Sequence, residues 1–157
     1  MAKEVERKFL VAGDAWRGAS ASSVRIEQFY LALEEGRSVR MRIKDGTSAV
    51  VTLKFGSDAR VRDEFEFPVP IEDAREMQVF AIGQIIDKTR YRVPHGGHIF
   101  EVDQFHGELT GFMLAELETS DEMPDSALPS WLGREVTGEP GYYNASLARF
   151  GLPVARK

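Results

Sequence analysis

The sequence predicts an α+β fold, eight strands in an antiparallel sheet or a closed antiparallel β-barrel, flanked by short helices. Three observations point to it. Eight segments alternate apolar and charged residues with the period of two that a strand imposes. Glycine, proline and an Asp-Gly pair fall between those segments, where hairpin turns belong. Charged residues on six of the eight strands come as doublets at i and i+2, largely segregated by sign, which suits an enclosed, lined interior better than a wet surface.

The first strand, residues 3–10, sets Glu4, Glu6 and Lys8 on one face and Val5, Phe9 and the stem of Arg7 on the other. Two carboxylates at i and i+2 stand roughly 7 Å apart, within reach of one divalent cation. Gly13 follows, and residues 14–20 make a short helix or turn. The second strand covers 24–33 and ends at Glu34-Glu35-Gly36. The third covers 37–44, and Asp45-Gly46 turns it into a fourth at 49–55. A fifth covers 60–69 and stops at Pro70. The period then changes. Over 71–82, Ala74, Met77, Val79, Phe80, Ala81 and Ile82 form a broad apolar stripe, with Glu72 and Asp73 in the first turn and Gly83 at the end, so this is an amphipathic helix. Strands resume at 85–93, turn at Pro94-His95-Gly96-Gly97, and continue at 98–105 and 112–119. Residues 124–132 read as a short helix with loops, and 144–150 as a helix capped by Asn144 and stopped by Gly151 and Pro153.

A chain of 157 residues fits one domain, 1–157, with a core of its own. Hydrophobic residues at 43% and charged residues at 29% are ordinary for a globular protein and argue against disorder. No apolar run approaches the ~18 residues of a membrane span, and no signal-peptide pattern opens the sequence. With no cysteine the chain has no disulfide, thiolate metal site or cysteine nucleophile, which fits a cytoplasmic protein. A formal net charge of -5 argues against a nucleic-acid binder, though it leaves room for a local basic pocket.

The doublets sort by sign. Arg40, Arg42 and Lys44 share a face, as do Lys88, Arg90 and Arg92, while Glu101 with Asp103 and Glu116 with Glu118 repeat the acidic pair of the first strand. Thr52 and Lys54 share a face of the fourth strand, and the fifth mixes Arg60, Arg62, Glu64 and Glu66. Two architectures accommodate this. An antiparallel sheet can turn a charged face to water, or a closed barrel can collect the charges in a lumen while helices cover the outward apolar faces. The pattern alone leaves both open. Under the second, so many cations require a strongly anionic ligand, and phosphate chains suit Arg forks and Lys point charges. Carboxylates tolerate the same ligand when Mg²⁺ or Mn²⁺ lies between them and the phosphate oxygens. A remaining carboxylate can take the proton of an attacking water. His95, His98 and His106 lack metal-ligand spacing and read as surface residues, and Trp16 and Trp131 read as core. No glycine-rich phosphate loop is present.

The segment Glu4-Val5-Glu6-Arg7-Lys8 resembles the ExExK signature of the CYTH domain, the triphosphate tunnel metalloenzymes. Gln28-Phe29-Tyr30-Leu31, Val39-Arg40-Met41-Arg42, Thr52-Leu53-Lys54, Glu64-Phe65-Glu66, Lys88-Thr89-Arg90-Tyr91, Glu101-Val102-Asp103 and Glu116-Leu117-Glu118 follow in that family's order. Gly133-Arg134-Glu135-Val136-Thr137-Gly138 and Tyr142-Tyr143-Asn144 look like its C-terminal block, with Gly141 departing from the basic residue expected before the tyrosine pair. The match spans essentially the whole chain.

The resemblance implies an eight-stranded tunnel that binds a triphosphate with Mg²⁺ or Mn²⁺. Glu4, Glu6, Glu116 and Glu118 would hold the metal. Lys8, Arg40, Arg42, Lys54, Lys88 and Arg90 would bind the triphosphate, and the strand pattern adds Arg62. Glu101 would orient the attacking water, with Lys8 and Tyr30 the other catalytic candidates, and Tyr30 and Tyr142–Tyr143 would close the tunnel mouths. The chain is similar to short bacterial members that hydrolyse inorganic tripolyphosphate. Class IV adenylate cyclase, thiamine triphosphatase and nucleoside triphosphatase are the runner-up activities, and a non-catalytic polyphosphate- or nucleotide-binding module is the alternative from another class. The expected partner is a small-molecule triphosphate, with no membrane and no nucleic acid, and with a homodimer left open.

Overall fold

The computed structural model describes residues 5–58, 61–119 and 123–153, and the side chains of all of these except Val5, Ser57, Asp58, Val61 and Arg62. The fold is α+β. Its strands are β1 (Val5–Val11), β2 (Ser22–Glu34), β3 (Arg37–Lys44), β4 (Ser48–Asp58), β5 (Val61–Val69), β6 (Ile86–His95), β7 (His98–Phe105), β8 (Met113–Thr119) and β9 (Leu132–Glu135). Two short helices, α1 (Ile71–Met77) and α2 (Asn144–Phe150), accompany them. The strands follow the hydrogen-bonded order β5-β4-β3-β2-β6-β7-β8-β1-β9. The ladders of β1 with β8 and β9, of β2 with β3, β3 with β4, β4 with β5 and β7 with β8 are antiparallel. The order ends at β5 and β9, and closure into a ring remains an expectation.

Local chemistry explains the turns. Asp45 and Gly46 both take positive φ, 51° and 67°, which is the mirror-image turn whose twist matches the flanking strands. Asp45 tolerates that conformation because its short carboxylate is used nearby, accepting from the Arg25 backbone N–H at 2.9 Å.

The chain divides into two compact units, residues 1–24 with 89–140 and residues 25–88 with 141–157. The core of the first is built from the apolar faces of β1, β6, β7 and β8, with Phe9, Val93, Phe100, Val102, Ala115 and Leu117 packed around Trp16 and Trp131. Trp16 is fully enclosed, and its indole N–H donates to the Gly13 carbonyl at 3.0 Å, so its one polar atom is satisfied. Trp131 meets Phe100 edge to face at 5.6 Å between ring centroids. Both tryptophans are core residues, as the sequence suggests.

In the second unit, Phe29, Met41, Ile43 and Ala49 pack beneath Ala74, with Ile71 and Met77 of α1 against them. The helix therefore covers one apolar sheet face, but it is shorter than the 71–82 stripe predicts. It ends at Met77, and a 3-10 turn carries the chain to Phe80. Ala81 is extended, and the Ile82 backbone N–H donates to the Tyr30 carbonyl at 2.8 Å, which takes that amide away from any helix. Val79 and Phe80 are consequently 80% and 71% exposed instead of buried. Gly83 then turns the chain at φ +71° and lies against α2, where a Cβ at this position would stand 2.3 Å from the Ala148 carbonyl oxygen.

Three further expectations are corrected. The strands number nine among the described residues, because Leu132–Glu135, to which the sequence assigns no strand, pairs with β1 as β9. The preceding stretch holds a 3-10 turn, Asp125–Ala127, between loops, as the short helix with loops over 124–132 predicts. Gly133 permits the pairing, since a Cβ there would press on the Leu10 carbonyl oxygen at 3.2 Å. Tyr143, not Asn144, is the N-cap of α2, and Asn144 uses its side chain elsewhere. Helices do not cover every outward apolar face either, for Phe65 and Phe67 on β5 are 51% and 53% exposed.

Candidate functional site

The first unit gathers the acidic residues. Alternation puts Glu6 and Lys8 on one face of β1, and the β1/β8 ladder sets Glu6 opposite Glu118 and Lys8 opposite Glu116. The β7/β8 ladder continues the second row by setting Glu101 opposite Glu116. Lys8, Glu116 and Glu101 thus lie side by side on three strands, with the buried Lys8 Nζ 3.6 Å from a Glu116 oxygen. Arg90 of β6 completes the group, its Nη1 3.7 Å from Glu101.

Arg90 is held chiefly by Asp103, to which its Nε and Nη2 donate at 2.7 and 2.9 Å. Burial alone would lower the guanidinium's pKa, but the charge of Asp103 and these hydrogen bonds, with Glu101 and Glu116 behind them, raise it beyond its ordinary value. Asp103 is itself only 2% exposed, so this is a paired, desolvated ion pair. Arg7 faces the other way. Its guanidinium donates to Glu135 at 2.8 and 2.9 Å, to Asp125 at 3.1 Å and to the Met123 carbonyl at 3.0 Å, tying β9 to β1. The Arg7 hydrogen bond holds the Glu135 carboxyl below the usual range, even against its partial burial.

Glu6 and Glu118 are both exposed and directly opposed across the ladder, so two carboxylates share one face. That arrangement fits a hard divalent ion. Among the described residues no three His, Asp or Glu side chains converge into a ready cage, and Glu4 lies outside the described residues.

The second unit gathers bases. On β3, Arg40 and Arg42 share a face; across β2 their ladder partners are Tyr30 and Gln28, and across β4 Arg40 pairs with Thr52. Thr52 in turn faces Glu66 of β5, and Lys54 faces Glu64. Arg40 Nη2 donates to the Thr52 hydroxyl at 3.2 Å, which donates to Glu66 at 3.2 Å. Lys54 Nζ lies 3.9 Å from Glu64. Arg40, Arg42, Lys44, Val50, Thr52 and Glu66 line a shallow concavity. Arg40 Nε is the one buried side-chain polar atom without a hydrogen-bond partner among the described residues. A buried cationic N–H left without an acceptor is costly.

Lys88 is fully buried, and its ammonium donates to Asn144 Oδ1 at 3.0 Å at the start of α2. Tyr30 is buried on the Arg40 face. Burial pushes its phenol above the ordinary value, and the positive charge of Arg40 draws it part of the way back. Tyr142 is buried and Tyr143 partly exposed beside the first turn of α2.

The sequence-predicted residues therefore fall into two groups, Glu6, Lys8, Arg90, Glu101, Glu116 and Glu118 in one unit and Tyr30, Arg40, Arg42, Lys54 and Lys88 in the other. Arg62 belongs to β5, but its side chain lies outside the described part. Gln28, Thr52, Asp103 and Asn144 enter the networks although nothing in the sequence assigns them a role in the site; position on a charged strand face was the available signal for the first three. His106, half-buried, shares a 2.8 Å hydrogen bond with Thr89, and the other two histidines bond to backbone carbonyls.

The CYTH domain model matches residues 2–150. The inorganic triphosphatase of Acetivibrio thermocellus is 37% identical over 150 residues, covering 95% of this chain and 95% of that protein. The inorganic triphosphatase of Nitrosomonas europaea is 34% identical over 150 residues, covering 92% of this chain and 96% of its own. The crystal structure of the inorganic triphosphatase NE1496 superposes with a TM-score of 0.72 at 32% identity, covering 95% of this chain and 96% of that one. No helix among the described residues is long and apolar enough to cross a membrane.

Proposed function

The chain belongs to the CYTH domain family, and we propose that it is a divalent-metal-dependent triphosphatase that hydrolyses inorganic tripolyphosphate to pyrophosphate and phosphate. The relatives named inorganic triphosphatases support the substrate. The observation that carries the reading is the convergence of Arg40, Arg42 and Lys44 on one concavity. That is a site suited to an anion, and a polyphosphate has the charge and the oxygen spacing to fill it.

Arg40, Arg42 and Lys54 grip phosphate oxygens, so the electron density that builds on the leaving pyrophosphate meets positive charge. Their counter-ions Glu66 and Glu64 sit near the limit of ion-pair contact, at 4.0 and 3.9 Å, and yield to a stronger anion. Water attacks the terminal phosphorus: a new P–O bond forms, the bridging phosphoanhydride bond breaks, and the water's proton passes to a carboxylate. Glu101 takes that role, with the Arg90 guanidinium 3.7 Å away. Lys8, beside Glu116, and Tyr30, a neutral hydrogen-bond donor, orient the phosphoryl group. Glu6, Glu116 and Glu118, together with Glu4, would hold Mg²⁺ or Mn²⁺. When bound, that ion polarises a phosphoryl oxygen and offsets the repulsion between the carboxylates and the substrate. Arg62 and Lys88 belong to the same proposal as phosphate ligands, as do a single domain over residues 1–157 and a cytoplasmic location.

The test is phosphate release from tripolyphosphate with Mg²⁺ or Mn²⁺, against EDTA and a Glu6→Gln/Glu118→Gln variant, with ATP and thiamine triphosphate in parallel. Metal-dependent release that the variant loses supports the reading. Tight tripolyphosphate binding without turnover of any substrate refutes it in favour of a binding module.

A further inference from the structure

The basic face of β2 and β3 contains one uncharged, fully buried amide. Gln28 is 1% exposed, and its two ends do different things. Its Oε1 accepts from Arg42 Nε at 2.9 Å and from Arg42 Nη2 at 2.6 Å. Its Nε2 donates to the Tyr30 hydroxyl oxygen at 3.0 Å. The ladder makes this possible, because Gln28 stands opposite Arg42 and two residues from Tyr30 on the same strand face.

Which way round the amide sits is fixed by chemistry. A guanidinium has only donors, so the carbonyl end must face Arg42, and the NH₂ end is thereby aimed at Tyr30. The consequence falls on the phenol. Its oxygen is occupied as an acceptor, so its own O–H hydrogen is directed away from Gln28 and is available to donate. Burial, which keeps this phenol protonated, reinforces that state.

We propose that Gln28 is a positioning residue for the triphosphatase reaction, holding the Arg42 fork in place and forcing Tyr30 to act as a hydrogen-bond donor toward phosphate. The inference rests on the triphosphatase reading above. It also separates Gln28 from a residue that merely fills space, since the two ends of its amide make different demands on any replacement.

Gln28→Glu distinguishes them. The carboxylate has nearly the same shape and keeps both Arg42 bonds, but it offers Tyr30 an acceptor where the amide offered a donor. Tyr30 then turns its hydrogen toward residue 28 and withdraws it from substrate. The experiment measures kcat and KM for tripolyphosphate in wild type, Gln28→Glu, Tyr30→Phe and the double variant, with thermal unfolding of each. The expected result is that Gln28→Glu keeps its unfolding midpoint and loses at least tenfold in kcat. Combined with Tyr30→Phe, it adds less than threefold to the loss that Tyr30→Phe causes alone. Losses that multiply in the double variant, or a Gln28→Glu enzyme with wild-type kcat, overturn the proposal. Unfolding of Gln28→Glu, in which the Arg42 bonds are kept, makes the residue structural and overturns it too. Wild-type protein inert toward tripolyphosphate refutes the triphosphatase reading itself, a separate outcome.

Discussion

Glu6 of β1 stands directly across the ladder from Glu118 of β8, on the same face of the sheet. Two carboxylates so placed are suited to share one divalent ion. Glu118→Gln is therefore expected to lose the stabilisation that Mn²⁺ gives the wild type. Differential scanning fluorimetry with and without Mn²⁺ reads the effect, and an equal Mn²⁺ shift in the two proteins would remove Glu118 from the ion's site.

Asp103 and Arg90 form a bidentate pair out of solvent, with Glu101 further off. Breaking such a pair leaves a buried charge poorly compensated, which costs about 3–5 kcal/mol. Asp103→Asn is expected to destabilise the protein by that order in urea unfolding. A loss below about 1 kcal/mol would mean that Glu101 suffices to balance Arg90.

The Lys88 ammonium and Asn144 form a second buried contact. Asn144→Ala removes an acceptor from a buried cation and is expected to cost about 1.5–3 kcal/mol. Urea midpoints of wild type and variant decide it; a variant with the wild-type midpoint would show that the contact to Asn144 contributes nothing to stability.

Glu135 carries a pH signature. Its folded-state pKa is depressed by the Arg7 hydrogen bond, so its contribution is present above the ordinary carboxylate value and disappears as pH falls through the lower folded value. Wild type is expected to exceed Glu135→Gln in stability at pH 7, with the gap closing below about pH 4. Unfolding midpoints of the two proteins across pH 3–7 check this, and a gap that stays constant would assign the difference to packing.

Much of the fold is legible in the sequence, because a period of two marked by full charges is hard to produce by accident. All eight predicted strands are present, and alternation gives the face of each charged residue, while the register, which alternation does not encode, brings Lys8, Glu116 and Glu101 into one row. β9 escaped because Leu132–Glu135 is too short to show a period and contains a glycine. The 71–82 stripe misled because Ile82 bonds to Tyr30, a tertiary contact that no helical periodicity encodes. Within the site, charge was legible and neutrality was not. Arg40, Arg42 and Lys54 stand out by their charge, whereas Gln28 and Thr52 join them only through strand pairing. Asn144 shows the converse, a residue whose type suggests a cap and whose partner is a lysine 56 positions away.

Gly83 is closed to side chains twice over, by its positive φ and by the Ala148 carbonyl oxygen 2.3 Å from where a Cβ would stand. The obstacle is backbone, so it cannot rotate aside, and relief requires α2 to shift as a whole. Gly83→Ala is thus expected to behave as a conditional variant of this chain, folded in the cold and unfolded on mild warming, which activity and unfolding measured across temperature would check. It would let the enzyme be switched off inside a growing cell by temperature alone, with every phosphate-gripping side chain left as it is.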